Sequence, residues 1–363
     1  MTDRPDRILN AAATLTRLGG SVMAEETVAA MAEAARHYVD LPARYRTVGD
    51  EIAALTRNEA AAVTSGAAAA LTLLSAVALY DAAAPREDDF PLPAHAVRRE
   101  VLMLAPQRND YDAAIRILGA QIRESSADPQ SVAALLGPQT ACVLWFAGTQ
   151  YPAPGIELRE LVHLAHERGI PVIVDAAAQV PPVSSLWHYT TELGADAAVF
   201  SGGKGLRGPQ TGGLVVGSRR LVDGVLARAS PNHGIGRLLK VGKEELAGML
   251  SAVRLAVQTD DEETIASYDD IARTWVEQLG PVAAVGARVR TDFPSEAGQP
   301  HLRTLVTLAG PDAQTLCDRL WERSPRVAVL VTADDTIALN PQPLLPGEAN
   351  AVGAAVLAEV LSR

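Results

Sequence analysis

Two stretches decide how this chain is read: Pro171-Val172-Ile173-Val174-Asp175-Ala176-Ala177-Ala178-Gln179 and, further on, Ala197-Ala198-Val199-Phe200-Ser201-Gly202-Gly203-Lys204-Gly205. Each is a short apolar run that ends abruptly in small and chemically active residues. Such runs read as strands buried on both faces, and in doubly wound sheets the working residues lie just past the carboxyl ends of strands. Asp175 and Lys204 are 29 residues apart (204 − 175), room for one helix and one strand. The spacing therefore predicts that both side chains leave neighbouring strand ends.

Outward from this centre the pattern repeats. Strands are expected at Glu100–Leu104, Ala120–Glu124, Ala141–Phe146 and Gly213–Gly217, with helices at Asp112–Leu118, Pro129–Leu136, Leu158–Arg168 and Trp187–Leu193. Alternating β-α-β units with apolar strands predict a mixed, mainly parallel sheet covered by helices on both faces. Upstream, Val22–Tyr38 has helical spacing and Asp50–Arg57 reads as a short helix. The alanine-rich run Ala60–Ala84 reads as a buried helix, with Ala67–Leu79 at its centre and Thr64 or Ser65 as its cap. Leu238–Val257 reads as one long helix. From about Asp260, strand-like runs at Arg303–Leu308, Val327–Val331 and Thr336–Leu339 alternate with helices near Asp312–Glu322 and Glu348–Leu361, as in a smaller α/β domain.

The chain has 363 residues, 48% of them hydrophobic and only 4% aromatic. The core must be filled by Ala, Val, Leu and Ile, which favours helices packed closely on a sheet. A net charge of -11 argues against non-specific nucleic-acid binding, which needs a basic face. Cys142 and Cys317 are far apart in apolar contexts, so neither a disulfide framework nor a zinc site is expected and a reducing cytoplasm is the simpler setting. The polar segment Met1–Asn10 has no apolar core of a signal peptide. His163 and His166 stand three apart on a helix without a third ligand and read as surface residues. Glu87-Asp88-Asp89 reads as a solvated loop.

Three positions carry the chemistry. Thr64-Ser65-Gly66-Ala67-Ala68 is a small-residue turn opening a helix, suited to a phosphate. Asp175 is a carboxylate at the end of a buried strand, costly there without a partner such as a protonated ring nitrogen. Lys204 is one of only three lysines, with Lys240 and Lys243, among 32 Lys plus Arg residues. Arginine replaces lysine as a surface charge but not as a nucleophilic amine. Turn, carboxylate and glycine-flanked lysine together fit pyridoxal 5′-phosphate, with Lys204 forming the Schiff base, Asp175 on the pyridine nitrogen, and Ser201 adding a phosphate hydrogen bond. A nucleotide P-loop fails: Gly205 follows the lysine where Ser or Thr is required, and Ala198 stands at the leading glycine.

Several motifs resemble one enzyme family. Val174 to Pro182, Leu193-Gly194-Ala195-Asp196 and Phe200 to Gln210 look like the SelA-like pyridoxal-phosphate enzymes. That group includes the L-seryl-tRNA selenium transferases and the D-glucosaminate-6-phosphate ammonia-lyases. Leu18 to Ser21, Ala61 to Ala67, Gly236 to Glu245 and Asn340-Pro341 are similar to further motifs of the group. The resemblance implies fold type I, the aspartate-aminotransferase-like fold. Its expected parts are a large cofactor-binding domain over 46–258, a small domain over 259–363, and a segment 1–45 packing on the small domain or a dimer partner. Relatives often carry His just before the Arg108-Asn109-Asp110-Tyr111-Asp112 stretch. Gln107 stands there, so any role of that imidazole is filled differently here. The transferases are longer and carry an extra N-terminal domain for tRNA, so the match is closer to the lyase branch.

The resemblance implies cofactor contacts from Thr64, Ser65, Gly66, Ala67, Asp175, Ala177, Ser201 and Lys204. Arg237 is the candidate for the substrate carboxylate, and Arg207 and Gln210 for phosphate or substrate contacts, across a subunit boundary if the chain is a homodimer or higher homo-oligomer. Lys204 is the natural base for a Cα proton. The expected reaction is α,β-elimination on a hydroxy- or similarly substituted amino acid or amino sugar acid. Racemisation, transamination or transfer are alternatives within the fold, and a non-catalytic cofactor-binding protein is an alternative of another class. No nucleic-acid, membrane or metal partner is expected.

Overall fold

The structure is a computed structural model that describes residues 7–80 and 96–362. The acidic loop residues Glu87-Asp88-Asp89 lie outside the described residues. Two compact units are present: Met23–Thr259 forms one, and Met1–Val22 with Asp260–Arg363 forms the other.

The larger unit is built on a seven-stranded sheet. Its order is Ala60–Thr64, Gly213–Gly217, Ala197–Ser201, Val172–Asp175, Thr140–Phe146, Glu100–Leu104, Gln121–Ser125. All pairings are parallel except the two made by Gly213–Gly217. Strict alternation sends the strand residues into two cores. Val63, Leu102, Leu104, Val172, Val174, Phe200 and Leu214 join the helices Leu41–Leu55, Leu158–His166 and Lys243–Ala256. Val101, Met103, Ile173, Val199 and Val215 face the other way, against the helices Ala67–Tyr80 and Arg219–Arg228. A strand buried on both faces has no polar side to show, which is why these segments read as continuous apolar runs.

Local signals move several boundaries. The expected Asp50–Arg57 helix starts at Leu41, because Asp40 accepts from the Ala43 N–H (3.0 Å) and Pro42 fits its first turn. The Ala60–Ala84 run is not one helix. Ala60–Thr64 is a strand paired with Gly213–Gly217, and the helix begins at Ala67. Alanine prefers helix, so tertiary pairing overrides propensity there. The Leu238–Val257 helix starts only at Lys243, where Glu245 reaches back to the Gly242 N–H (3.0 Å). Trp187–Leu193 divides into a helical turn, Ser185–Trp187, and a π-helical turn, His188–Glu192.

The smaller unit holds an antiparallel four-stranded sheet ordered Leu330–Ala333, Thr336–Leu339, Arg303–Thr307, Arg288–Asp292. The expected strand Val327–Val331 breaks at Val329. Arg326–Ala328 pairs in parallel with Ile8–Asn10, whereas Leu330 onward pairs with Thr336–Leu339. The N-terminal residues thereby join the C-terminal part of the chain. The long helix Asp261–Gln278 covers this sheet, its Trp275 buried and donating to the Ala349 carbonyl (2.8 Å). Its sequence is so charged that periodicity hides it, although Asp260 caps it by accepting from the Glu262 and Glu263 N–H groups. A buried polar group closes one end of the sheet: Asn340 donates to both carboxylate oxygens of Glu296 (2.8 and 2.7 Å) and accepts from the Gln342 N–H (2.8 Å). Among the described residues, no helix is long and apolar enough to cross a membrane.

Candidate active site

Strand register collects the candidate residues at one sheet edge. Gly213 pairs with Thr64 on one side and Ser201 on the other, and Asp175 pairs with Val199 and Phe146. The carboxyl ends of the strands 60–64, 140–146, 172–175 and 197–201 therefore open onto the same edge, where the sheet order reverses relative to the chain. Thr64, Ser65, Gly66, Ala67, Asp175, Ala177, Ser201 and the Lys204 loop all leave from it.

The turn after Asp175 is sewn to its neighbours. The Asp175 carboxylate accepts from the Ala177 N–H (2.9 Å), its carbonyl accepts from the Ala147 N–H (2.8 Å), and the Ser201 N–H donates to the Ala177 carbonyl (3.2 Å). Asp175 is 8% exposed. Burial pushes its carboxyl pKa up, against the lowering effect of the Ala177 N–H and the Lys204 charge. Lys204 mirrors it: burial pushes the amine down, against the raising effect of Asp175. No ion pair joins the two side chains. Each feels the other's charge, yet each favours its neutral form more than it would in water.

Lys204 rides on a closed loop. The Gly202 N–H donates to the Gly212 carbonyl, the Gly208 N–H to the Gly202 carbonyl, and the Arg207 N–H to the Lys204 carbonyl, at 2.8, 2.8 and 2.9 Å. Arg207 has φ 51°, in the left-handed region that a non-glycine L-residue enters at a cost of about 1–2 kcal/mol. Strain of this kind persists where the surroundings over-determine it.

Across the sheet edge lies the small-residue turn. Gly66 has φ 88°, and a side chain built there would meet nothing within 4 Å, so space lies open beside the start of the Ala67–Tyr80 helix. The Thr64 hydroxyl and the Ala70 N–H both donate to the Gly66 carbonyl (3.1 Å each), fixing the turn. The helix start leaves N–H groups without intrahelical acceptors, as an anion requires. Gly213 was not singled out from the sequence. A Cβ there would stand 2.5 Å from the Gly66 oxygen and 2.6 Å from the Thr64 hydroxyl. Glycine at the strand start is what lets the turn close on the sheet.

These residues fit pyridoxal phosphate: an amine biased toward neutrality, a buried carboxylate with no cation bonded to it, and an open turn at a helix start. Other candidates fall elsewhere. Gln210 is exposed, and its Cα, Cβ and Cγ lie against Gly203. Arg237 is exposed and its guanidinium reaches Ser230 Oγ (3.4 Å), outside this row of strand ends. Lys243 bonds the Ala34 carbonyl (2.8 Å) and Glu244 (2.7 Å), tying two helices together. His166 pairs with Asp196 (2.8 Å) and His163 with Glu167 (3.4 Å). Gln107 is fully buried, its amide bonding the Phe146 N–H (3.0 Å) and the Tyr151 carbonyl (3.1 Å). Arg108 clamps Asp112 (2.9 Å) and Glu124, so this motif shapes the edge rather than lining it.

Comparison with known proteins agrees with the motifs. Residues 43–240 match the aminotransferase class-V family. A 5′-C-glycyluridine monooxygenase-decarboxylase from Streptomyces sp is 30% identical, the alignment covering 88% of this chain and 81% of that protein. The D-glucosaminate-6-phosphate ammonia lyase of Salmonella typhimurium (strain 14028s / SGSC 2262) is 28% identical over 83% of this chain and 79% of its own. An L-seryl-tRNA(Sec) selenium transferase of Desulfomicrobium baculatum is 27% identical over 98% and 83%. Among solved structures, a D-glucosaminate-6-phosphate ammonia-lyase superimposes with a TM-score of 0.83 over 99% of this chain and 96% of that one, at 24% identity. The resemblance to the ammonia-lyase and selenium-transferase group, and the fold it implied, are thereby borne out. With a strand-end lysine, a buried aspartate and a glycine-lined turn on one sheet edge, the chain is an enzyme of the aminotransferase class-V family.

Proposed function

We propose that the chain is a pyridoxal-phosphate-dependent lyase that eliminates a β-substituent from a small amino acid or amino sugar acid. The observation that carries this is the placement of Lys204, its amine pushed toward neutrality by burial, and Asp175, a buried carboxyl group bonded to the Ala177 N–H, at adjoining strand ends. The ammonia lyase among its relatives supports elimination as the outcome. Bound at this edge, pyridoxal phosphate supplies an electron sink for negative charge developing at the substrate Cα.

The protein's own residues do the rest. Lys204 would hold the cofactor through its amine, and its Nζ would take the proton from the substrate Cα. A lysine with a lowered pKa is suited to that step, because more of it is unprotonated near neutral pH. Asp175 keeps a proton on the ring nitrogen, and the Ala177 N–H keeps the carboxylate aimed. Thr64, Ser65 and the N–H groups of Gly66 and Ala67 hold the phosphate, with Ser201 beside them. Arg207 and Gln210 are assigned to substrate, across the subunit boundary of a homodimer or higher homo-oligomer in the cytoplasm, with no nucleic-acid partner; Arg237, exposed and bonded to Ser230, is given no carboxylate role at this edge.

The test is direct. Purified protein should absorb in the visible as a lysine-bound pyridoxal, and Lys204→Ala should abolish that band; an unchanged band sinks the assignment. Incubation with hydroxy and sugar amino acids should release keto acid and ammonia. Inversion alone means a racemase. Carbon dioxide release with oxygen uptake means the chemistry named for the Streptomyces relative, and no change across a broad panel means a binding protein.

A further inference from the structure

One aromatic side chain at the same sheet edge remains unused. Tyr151 follows the strand Thr140–Phe146 by a short turn, its N–H donating to the Gly148 carbonyl (3.1 Å). That turn is anchored beside Asp175: the Ala147 N–H bonds the Asp175 carbonyl, and Phe146 pairs with Asp175 in register. The Tyr151 ring leans on Phe146 with centroids 5.1 Å apart and planes tilted by 54°. Gln107 fixes both residues at once through the Phe146 N–H and the Tyr151 carbonyl. The buried amide thus acts as a bracket for the tyrosine. Burial, the Asp175 charge and Tyr111 all push the Tyr151 hydroxyl pKa up, so it remains a proton donor at neutral pH.

We infer that Tyr151 is a ligand-contacting residue whose phenol donates a hydrogen bond to the phenolic oxygen of the pyridoxal ring held on Asp175. In that ring the phenolic oxygen lies on the carbon next but one to the nitrogen, so a donor flanking Asp175 is placed to reach it. The inference rests on the cofactor assignment of the preceding section. It gives Gln107 a positioning role, acting through Tyr151 and not on the ligand.

The test is equilibrium titration of the full-length protein with pyridoxal phosphate, followed by fluorescence, and pH titration of the bound chromophore. Tyr151→Phe keeps the ring on Phe146 and removes the hydroxyl alone. A hydrogen bond to a charged oxygen corresponds to roughly 10- to 100-fold in affinity. Tyr151→Phe should weaken cofactor binding by about that factor and move the chromophore's ionisation midpoint upward, with the urea unfolding midpoint of the cofactor-free protein unchanged. Tyr111→Phe should alter neither affinity nor midpoint. If Tyr151→Phe binds as tightly as wild type with the same chromophore midpoint, or if Tyr111→Phe gives the effect instead, this inference is overturned while the cofactor assignment stands. If wild type forms no Lys204-dependent chromophore, both fall.

Discussion

Gly213→Ala is the sharpest test of how the site is assembled. The added methyl would stand 2.5 Å from the Gly66 oxygen and 2.6 Å from the Thr64 hydroxyl, well inside van der Waals contact. The Gly66 carbonyl carbon would be closer still, so the Gly66 peptide must retreat by about an ångström to regain ordinary contact. That carbonyl accepts from Thr64 and from the Ala70 N–H, so the retreat strains the first bond of the helix that opens at Ala67. Overpacking costs roughly 1–3 kcal/mol and a weakened hydrogen bond about 1 kcal/mol. The stiffer unfolded chain returns about 0.4–1 kcal/mol. The net loss is about 1–3 kcal/mol, or roughly 0.3–1 M in the urea midpoint at a slope near 3 kcal/mol/M. Gly137→Ala is the control, since a side chain there meets nothing within 4 Å. Cofactor affinity should fall as well in Gly213→Ala, by about 10-fold or more if one phosphate hydrogen bond is lost. Urea unfolding of the cofactor-free protein and cofactor titration read the two effects separately. Should Gly213→Ala match Gly137→Ala in both, the close approach of strand and turn is not what shapes this site.

Other expectations follow from the same geometry. Asp175 titrates above its unfolded value, so its ionised form destabilises the fold at neutral pH, and the penalty disappears as pH falls below the unfolded carboxyl pKa of about 4. Cofactor-free Asp175→Asn should therefore unfold at higher urea than wild type at pH 7, with the gap closing near pH 4, while its cofactor-dependent activity is lost. The same substitution removes the charge that holds the Lys204 pKa up, so the pH midpoint for amine modification of Lys204 should move further down. At Arg207, glycine accepts the left-handed backbone and alanine does not. Arg207→Gly should be about 1 kcal/mol more stable than Arg207→Ala, and both should raise KM equally if the guanidinium binds substrate. Asn340→Ala breaks two bonds to Glu296 and one from Gln342, which should cost about 2–4 kcal/mol in the smaller unit, read by thermal or urea unfolding.

Much of the larger unit was legible because a strand buried on both faces leaves a continuous apolar run, as in Val172-Ile173-Val174 and Ala197 to Phe200. Ala60–Thr64 was hidden because alanine carries no strand preference of its own and becomes a strand only by pairing with Gly213–Gly217. Asp261–Gln278 was hidden because charge outweighs its apolar face, and the break at Val329 because the two halves pair with different, distant segments. Tyr151 gave one faint signal, an aromatic just beyond a strand's carboxyl end.

The sequence by itself placed a lysine, an aspartate and a small-residue turn at the ends of strands, because side-chain periodicity and glycine placement are local properties. Only the tertiary structure decided that Thr64, Gly213 and Ser201 share one row, that Gln107 braces Tyr151, and that Arg237 stands apart. Strand order follows from how the crossover helices pack, and packing joins residues far apart in the chain. The lowered amine pKa and raised carboxyl pKa at Lys204 and Asp175 belong to that second class, since burial, their first cause, does not exist until the sheet is covered on both faces.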